Sequence, residues 1–260
     1  MSDFDRNTAG WGQAVPQAGR AQIDQGLRSY MLGVYNNMVI GLAITGLFAY
    51  GANMLAVTHD PALAVARFGH VYLTSFGQAL YISPLRWLVV FAPLALVFFF
   101  SFQLNRVAAS TARALFFVFS AAMGLSLSTL VLIYTGNSIA RAFFITAASF
   151  GALSLYGYTT PRSLSAMGSF MMMGLFGLII ASIVNIFLHS SGFQFALSIL
   201  TVIIFAGLTA WDTQAIKEMY YASDDYETAT KKSVNGALRL YLDFINIFTA
   251  LLQLTGSRND

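Results

Sequence analysis

The stretch Gly236-Ala237-Leu238-Arg239-Leu240-Tyr241-Leu242-Asp243-Phe244-Ile245-Asn246-Ile247-Phe248 sets two opposite charges into a run otherwise made of Leu, Ile, Phe and Tyr. The apolar run continues to Leu254. As a helix it is long enough to cross a hydrocarbon core of ~30 Å. Arg239 lies four residues before Asp243, one turn away on the same face, and Asn246 lies three after it. A charge is costly in lipid, so this polar stripe is expected to face the interior of a helix bundle.

Six further apolar runs precede this one: 30–56, 87–104, 114–134, 142–158, 168–188 and 193–211. They are apolar on all sides, whereas strands of a membrane barrel alternate over about 10 residues. Composition agrees. Of 260 residues 57% are hydrophobic and only 25 are charged, against about a quarter charged in a soluble domain. The chain is therefore expected to be all-α and polytopic, with seven transmembrane helices and a bilayer as its solvent. Residues 1–28 read as a polar cytoplasmic tail with a short amphipathic lead-in, and 29–257 as one transmembrane domain. With the N-terminus inside, the inner segments carry nine Lys and Arg and the outer segments four. The positive-inside rule then puts the C-terminus outside. The only long outer loop, 57–86, holds His59 and His70.

Asp212 is the second acid of interest, in Ala210-Trp211-Asp212-Thr213-Gln214 at the end of the sixth run. An acidic turn with Asp224, Asp225 and Glu227 joins the sixth and seventh runs. The midpoint between Asp212 and Asp243 falls between Glu227 and Thr228. In an antiparallel hairpin the two acids should thus lie at similar depth. Two carboxylates close together in a low dielectric cannot both ionise cheaply and would share a proton. That makes a proton sensor or a cation site. The plainer alternatives are a solvated Asp212 at the interface and an intrahelical pair between Asp243 and Arg239. Loss of one partner of such a buried pair would cost ~3–5 kcal/mol.

Other features carry less. Asn185 in the fifth run suits an interhelical hydrogen bond. Gly124, Ser126 and Ser128 resemble a small-residue helix contact, and Gly41, Gly46 and Gly51 suit close packing. Several chemistries are set aside. Cysteine is absent and there are three histidines, so no zinc hydrolase site is expected. The seventh run has no Lys for a Schiff base, no phosphate-binding glycine loop is present, and no basic stripe suggests nucleic acid. The chain is expected to be no enzyme and to carry no cofactor.

Leu238-Arg239-Leu240-Tyr241-Leu242-Asp243-Phe244-Ile245-Asn246-Ile247-Phe248, together with Thr209-Ala210-Trp211-Asp212-Thr213-Gln214, resembles the Bax inhibitor-1 family (transmembrane Bax-inhibitor-motif proteins), in particular its bacterial members. Ser154-Leu155-Tyr156-Gly157-Tyr158-Thr159-Thr160, Leu164-Ser165-Ala166-Met167-Gly168 and Ile183-Val184-Asn185-Ile186-Phe187 support the likeness, which covers roughly residues 20–257. It implies six helices around a central seventh, in a bacterial inner membrane. It implies a pH-sensitive calcium leak gated by an aspartate pair, which falls on Asp212 and Asp243. It also implies a latch arginine near the cytoplasmic end of the second helix, for which Arg106 is the nearest match. The second run holds no acid, unlike that of the bacterial leak protein. A second implied role is a regulatory partner of a membrane-anchored AAA protease complex.

Overall fold

The computed structural model of the chain describes residues 17–69, 71–103 and 107–259. Its helices are α1 (Gln17–Ala56), α2 (Ser75–Tyr81), α3 (Leu85–Gln103), α4 (Ala109–Ile133), α5 (Gly136–Thr159), α6 (Ser165–Leu188), α7 (Ser191–Glu218) and α8 (Tyr226–Thr255). Six of them, all but α2 and α3, are long and apolar enough to cross a membrane. The bent pair α2 and α3 makes a seventh crossing if counted as one broken span. The chain is an integral, multi-pass membrane protein. The lead-in and the first span form one continuous helix, α1, which begins inside the segment read as tail.

The break between α2 and α3 bends the pair by 58°. Pro84 stands there, and a proline cannot donate into the preceding turn. Ser83 caps the new start, its hydroxyl accepting from the Leu85 amide at 3.2 Å. A second proline, Pro93, lies inside α3 and leaves the Val89 carbonyl without its helical donor. The Ser126 hydroxyl of α4 donates to that carbonyl. In lipid a freed carbonyl must be satisfied from within the protein. Ser126 is thus a hydrogen-bonding residue rather than only a small one. Ser126→Ala is expected to cost ~0.6–1.7 kcal/mol in the wild type and close to nothing in a Pro93→Ala background. Melting temperatures of the four proteins of this double-mutant cycle check it.

α8 is the central helix. It packs against α1, α4, α5 and α7. Of its most apolar window, 56% is buried, against 0% for α6 at the periphery. Tyr241 is fully buried, edge-on to Phe116 and Phe119, and its hydroxyl shares a hydrogen bond with Thr45 Oγ1 at 2.6 Å. That contact fixes α8 to α1 and α4. Gly41 lets α1 approach Phe116 and Ser120, whereas Gly46 and Gly51 face open space.

The loop expected over 57–86 contains a small antiparallel sheet, β1 (Val57–Thr58), β2 (Ala66–Phe68) and β3 (Val71–Leu73), in the order β1-β3-β2, followed by α2. It lies at the end of the bundle that also holds the α4–α5 corner, where Tyr134 bridges Arg258. The other end carries the α7–α8 turn, against which α1 packs through Tyr30 and Tyr220.

Candidate functional site

α7 and α8 form an antiparallel hairpin. Its turn is stapled by Lys232 Nζ to Asp224 Oδ2 at 2.6 Å and by Lys231 Nζ to Glu227 Oε1 at 2.8 Å. The Thr228 hydroxyl beside Asp225, at the start of α8, holds that carboxylate below the usual range. The contacts Asp212–Arg239, Ile216–Gly236 and Ser198–Gln253 are symmetric about positions 225–226. The true centre of the hairpin is therefore about two residues earlier than the sequence midpoint.

That small offset decides the site's chemistry. Arg239 is level with Asp212, and Asp243 stands one turn deeper. Arg239 Nη1 reaches Asp212 Oδ1 at 3.4 Å across the hairpin. The intrahelical Arg239–Asp243 pair considered from the sequence is replaced by this cross-helix pair. The arginine also fails to share a buried stripe with Asp243, because its side chain is 42% exposed. A guanidinium on a long stem gains by keeping its head outside.

The two acids do come together. Asp212 is 8% exposed and Asp243 3%, and their carboxyls lie within hydrogen-bonding reach of each other. Asp243 Oδ2 is buried and has no hydrogen-bond partner among the described residues. A carboxylate accepts only, so two ionised acids in contact give each other no donor. One proton between them would supply it. Among the described residues no group of three or more His, Asp or Glu could hold a metal ion. Calcium takes 6–8 oxygen ligands, more than two carboxylates provide.

The surroundings position Asp212 from both sides. Gly157 of α5 meets the Ala210 carbonyl so closely that a Cβ would fall on it. Gly168 of α6 is likewise filled by the Trp211 ring. Gln214, half a turn beyond Asp212, accepts from the Leu164 amide at 2.7 Å and donates to the Arg162 carbonyl at 2.9 Å. It pins the α5–α6 loop onto α7. The sequence around Gln214 carries no sign of this role, since its partners are 50 and 52 residues away. Thr213 donates to Ser154 at 3.4 Å.

Asn246 donates to the Leu242 carbonyl at 2.8 Å, and Asn185 donates to Gln194 Oε1 at 2.8 Å. Neither amide donates to the acid pair. Arg106, the latch candidate, lies outside the described residues.

Arg239 is only partly buried, so its ion pair is expected to add less to stability than a fully buried one. Arg239→Leu is thus expected to lower the melting temperature only slightly, in place of the ~3–5 kcal/mol cost of breaking a buried pair. Thermal melts beside a lipid-facing Leu→Ala control check this. A loss as large as that of a buried-charge deletion would put the arginine inside the bundle.

The chain matches the family described as "Inhibitor of apoptosis-promoting Bax1" over residues 27–260. A protein of Rickettsia prowazekii is 46% identical over 237 residues, 91% of this chain and 93% of its own length. A protein of Caulobacter vibrioides is 41% identical over the full length of both chains. The inner membrane protein YbhL of Escherichia coli is 41% identical over 90% of this chain and 93% of its own.

Proposed function

The chain belongs to the Bax inhibitor family, and on that premise we propose that it is a pH-sensitive cation leak, with calcium the ion, gated by a proton shared between Asp212 and Asp243. The observation that carries this reading is the buried carboxyl contact in which Asp243 Oδ2 lacks a donor. With the proton in place the pair ties α7 to α8. Raising the pH removes it. Two carboxylates then repel by ~4 kcal/mol at about 4 Å and an effective dielectric near 20. Allosteric couplings run at roughly 1–3 kcal/mol, so the repulsion is large enough to move a gate. Arg239 beside Asp212 favours the charged form and so sets the pH at which the tie breaks. Arg106 is the latch that opposes opening, and Arg106→Ala is expected to raise the basal leak.

By the Lys/Arg count the acid pair and the α7–α8 turn sit on the cytoplasmic side of an inner membrane, with the C-terminus outside. Reporter fusions at the two ends of the chain test it; a cytoplasmic C-terminus rejects the orientation. The gate is tested by calcium flux into liposomes holding the purified protein, across pH, for the wild type, Asp212→Asn and Asp243→Asn. The leak is expected to begin at a pH well above the ~3.9 of an ordinary Asp. If both variants follow the wild type, the gate is wrong, and regulation of a membrane-anchored AAA protease becomes the better reading.

A further inference from the structure

Beyond the acid pair, toward the C-terminal end of α8, polar residues recur at near one-turn spacing: Asn246, Thr249 and Gln253. α7 answers with Thr201, Ser198 and Gln194. These are expensive residues at membrane depth, and at one level they converge. Gln194 Nε2 donates to Gln253 Oε1 at 3.1 Å, and the Ser198 hydroxyl donates to the same oxygen at 3.0 Å. Asn185 of α6 donates to Gln194 Oε1 at 2.8 Å. The Asn185 Oδ1 atom is buried with no hydrogen-bond partner among the described residues.

Two cavities meet at this cluster. One, of about 390 Å³, lies between α6, α7 and α8, and includes Thr201, Asn246 and Thr249. The other, of about 790 Å³, opens at the C-terminal end of the bundle beside Tyr134, Arg258 and Asn259. Gln194, Ser198 and Gln253 line both. The cluster therefore stands as a neck between the larger cavity and a chamber, open along the exposed Ile179, Ile183 and Ile186 of α6, that ends at Asn246, one turn from Asp243.

We propose that Gln194, Ser198 and Gln253, with Asn185 behind them, form the neutral neck of a water-filled cation path from the C-terminal mouth to the acid pair. The proposal rests on the leak reading and adds its route. Amide carbonyls and hydroxyls replace part of an ion's hydration shell without the deep well of a fixed carboxylate, and calcium accepts such oxygens. Rotation of either glutamine amide exchanges its oxygen and nitrogen, which opens the internal hydrogen bonds and turns a carbonyl toward the passing ion. Arg258 at the mouth opposes cation entry, so Arg258→Gln is expected to speed the flux.

The chain has no cysteine, so single cysteines report water without background. Thr201→Cys and Thr249→Cys, facing the chamber, should react at least ~10-fold faster with a membrane-impermeant cationic thiol reagent than Ile180→Cys, which is exposed on α6 and lines neither cavity. Thiolates form only where water reaches, and the bilayer core holds none. In the flux assay Gln253→Leu should lower calcium flux several-fold at every pH and leave the pH midpoint in place, since both acids remain. Equal labelling at the three positions overturns the neck. So does fast labelling with Gln253→Leu leaking like the wild type, while the acid gate survives. Fast labelling with no wild-type flux at any pH overturns the leak itself, and the path with it.

Discussion

Asp243→Asn is expected to hold the leak near its low-pH level across the whole pH range. The asparagine amide donates to Asp212 as the shared proton does, and it cannot be titrated away. The high-pH flux should fall by about 5–150-fold, the range of a 1–3 kcal/mol coupling. Asp212→Asn should flatten the profile in the same way, because either substitution leaves a single ionisable acid. Arg239→Leu should keep the pH dependence and shift it upward: the pair loses the cation that favours its charged form. Three variants in one flux assay thus separate the gate from its tuning. A leak that rises with pH in both Asp variants as it does in the wild type removes the shared proton from the account.

Gly157→Val is expected to have the largest effect on stability. The new side chain would fall on the Ala210 carbonyl, which is backbone and cannot rotate aside. α5 and α7 must separate, at a cost of about 1–3 kcal/mol or more. Ala210 is two residues from Asp212, so the separation also pulls one acid off the other. The same helix supplies the control. Gly151 has nothing within 4 Å of a Cβ, and Gly151→Ala should be neutral or stabilising by roughly 0.5–1 kcal/mol. Thermal melts of the two variants decide it; equal melting temperatures would show that α5 and α7 are not in backbone contact.

The spans were legible in the sequence because an all-apolar run near 20 residues has few alternatives to a crossing helix. The acid pair was legible because a hairpin brings positions nearly symmetric about its turn to within a helical turn of one depth. What the sequence left out is finer than one helical turn or depends on distant chain. The two-residue shift of the hairpin centre moved Arg239 from Asp243 to Asp212, and no spacing rule within α8 reveals it. Pro93 advertised a lost hydrogen bond, but its replacement came from Ser126 on another helix. Gln194 and Gln253 stand near the ends of their runs, and only the packing of α7 on α8 shows that they meet. The sheet over 57–73 was hidden by strands of two or three residues, too short to show an alternation.

The shared proton itself can be observed by infrared spectroscopy of protein labelled at aspartate, titrated in membranes. A protonated carboxyl band should be present in the closed protein above the ~3.9 of an ordinary Asp, vanish over the same pH interval in which calcium flux appears, and be absent from Asp243→Asn over that interval. A wild-type spectrum without that band at any pH where the leak is shut, or a band that persists while the leak is open, would contradict the gate.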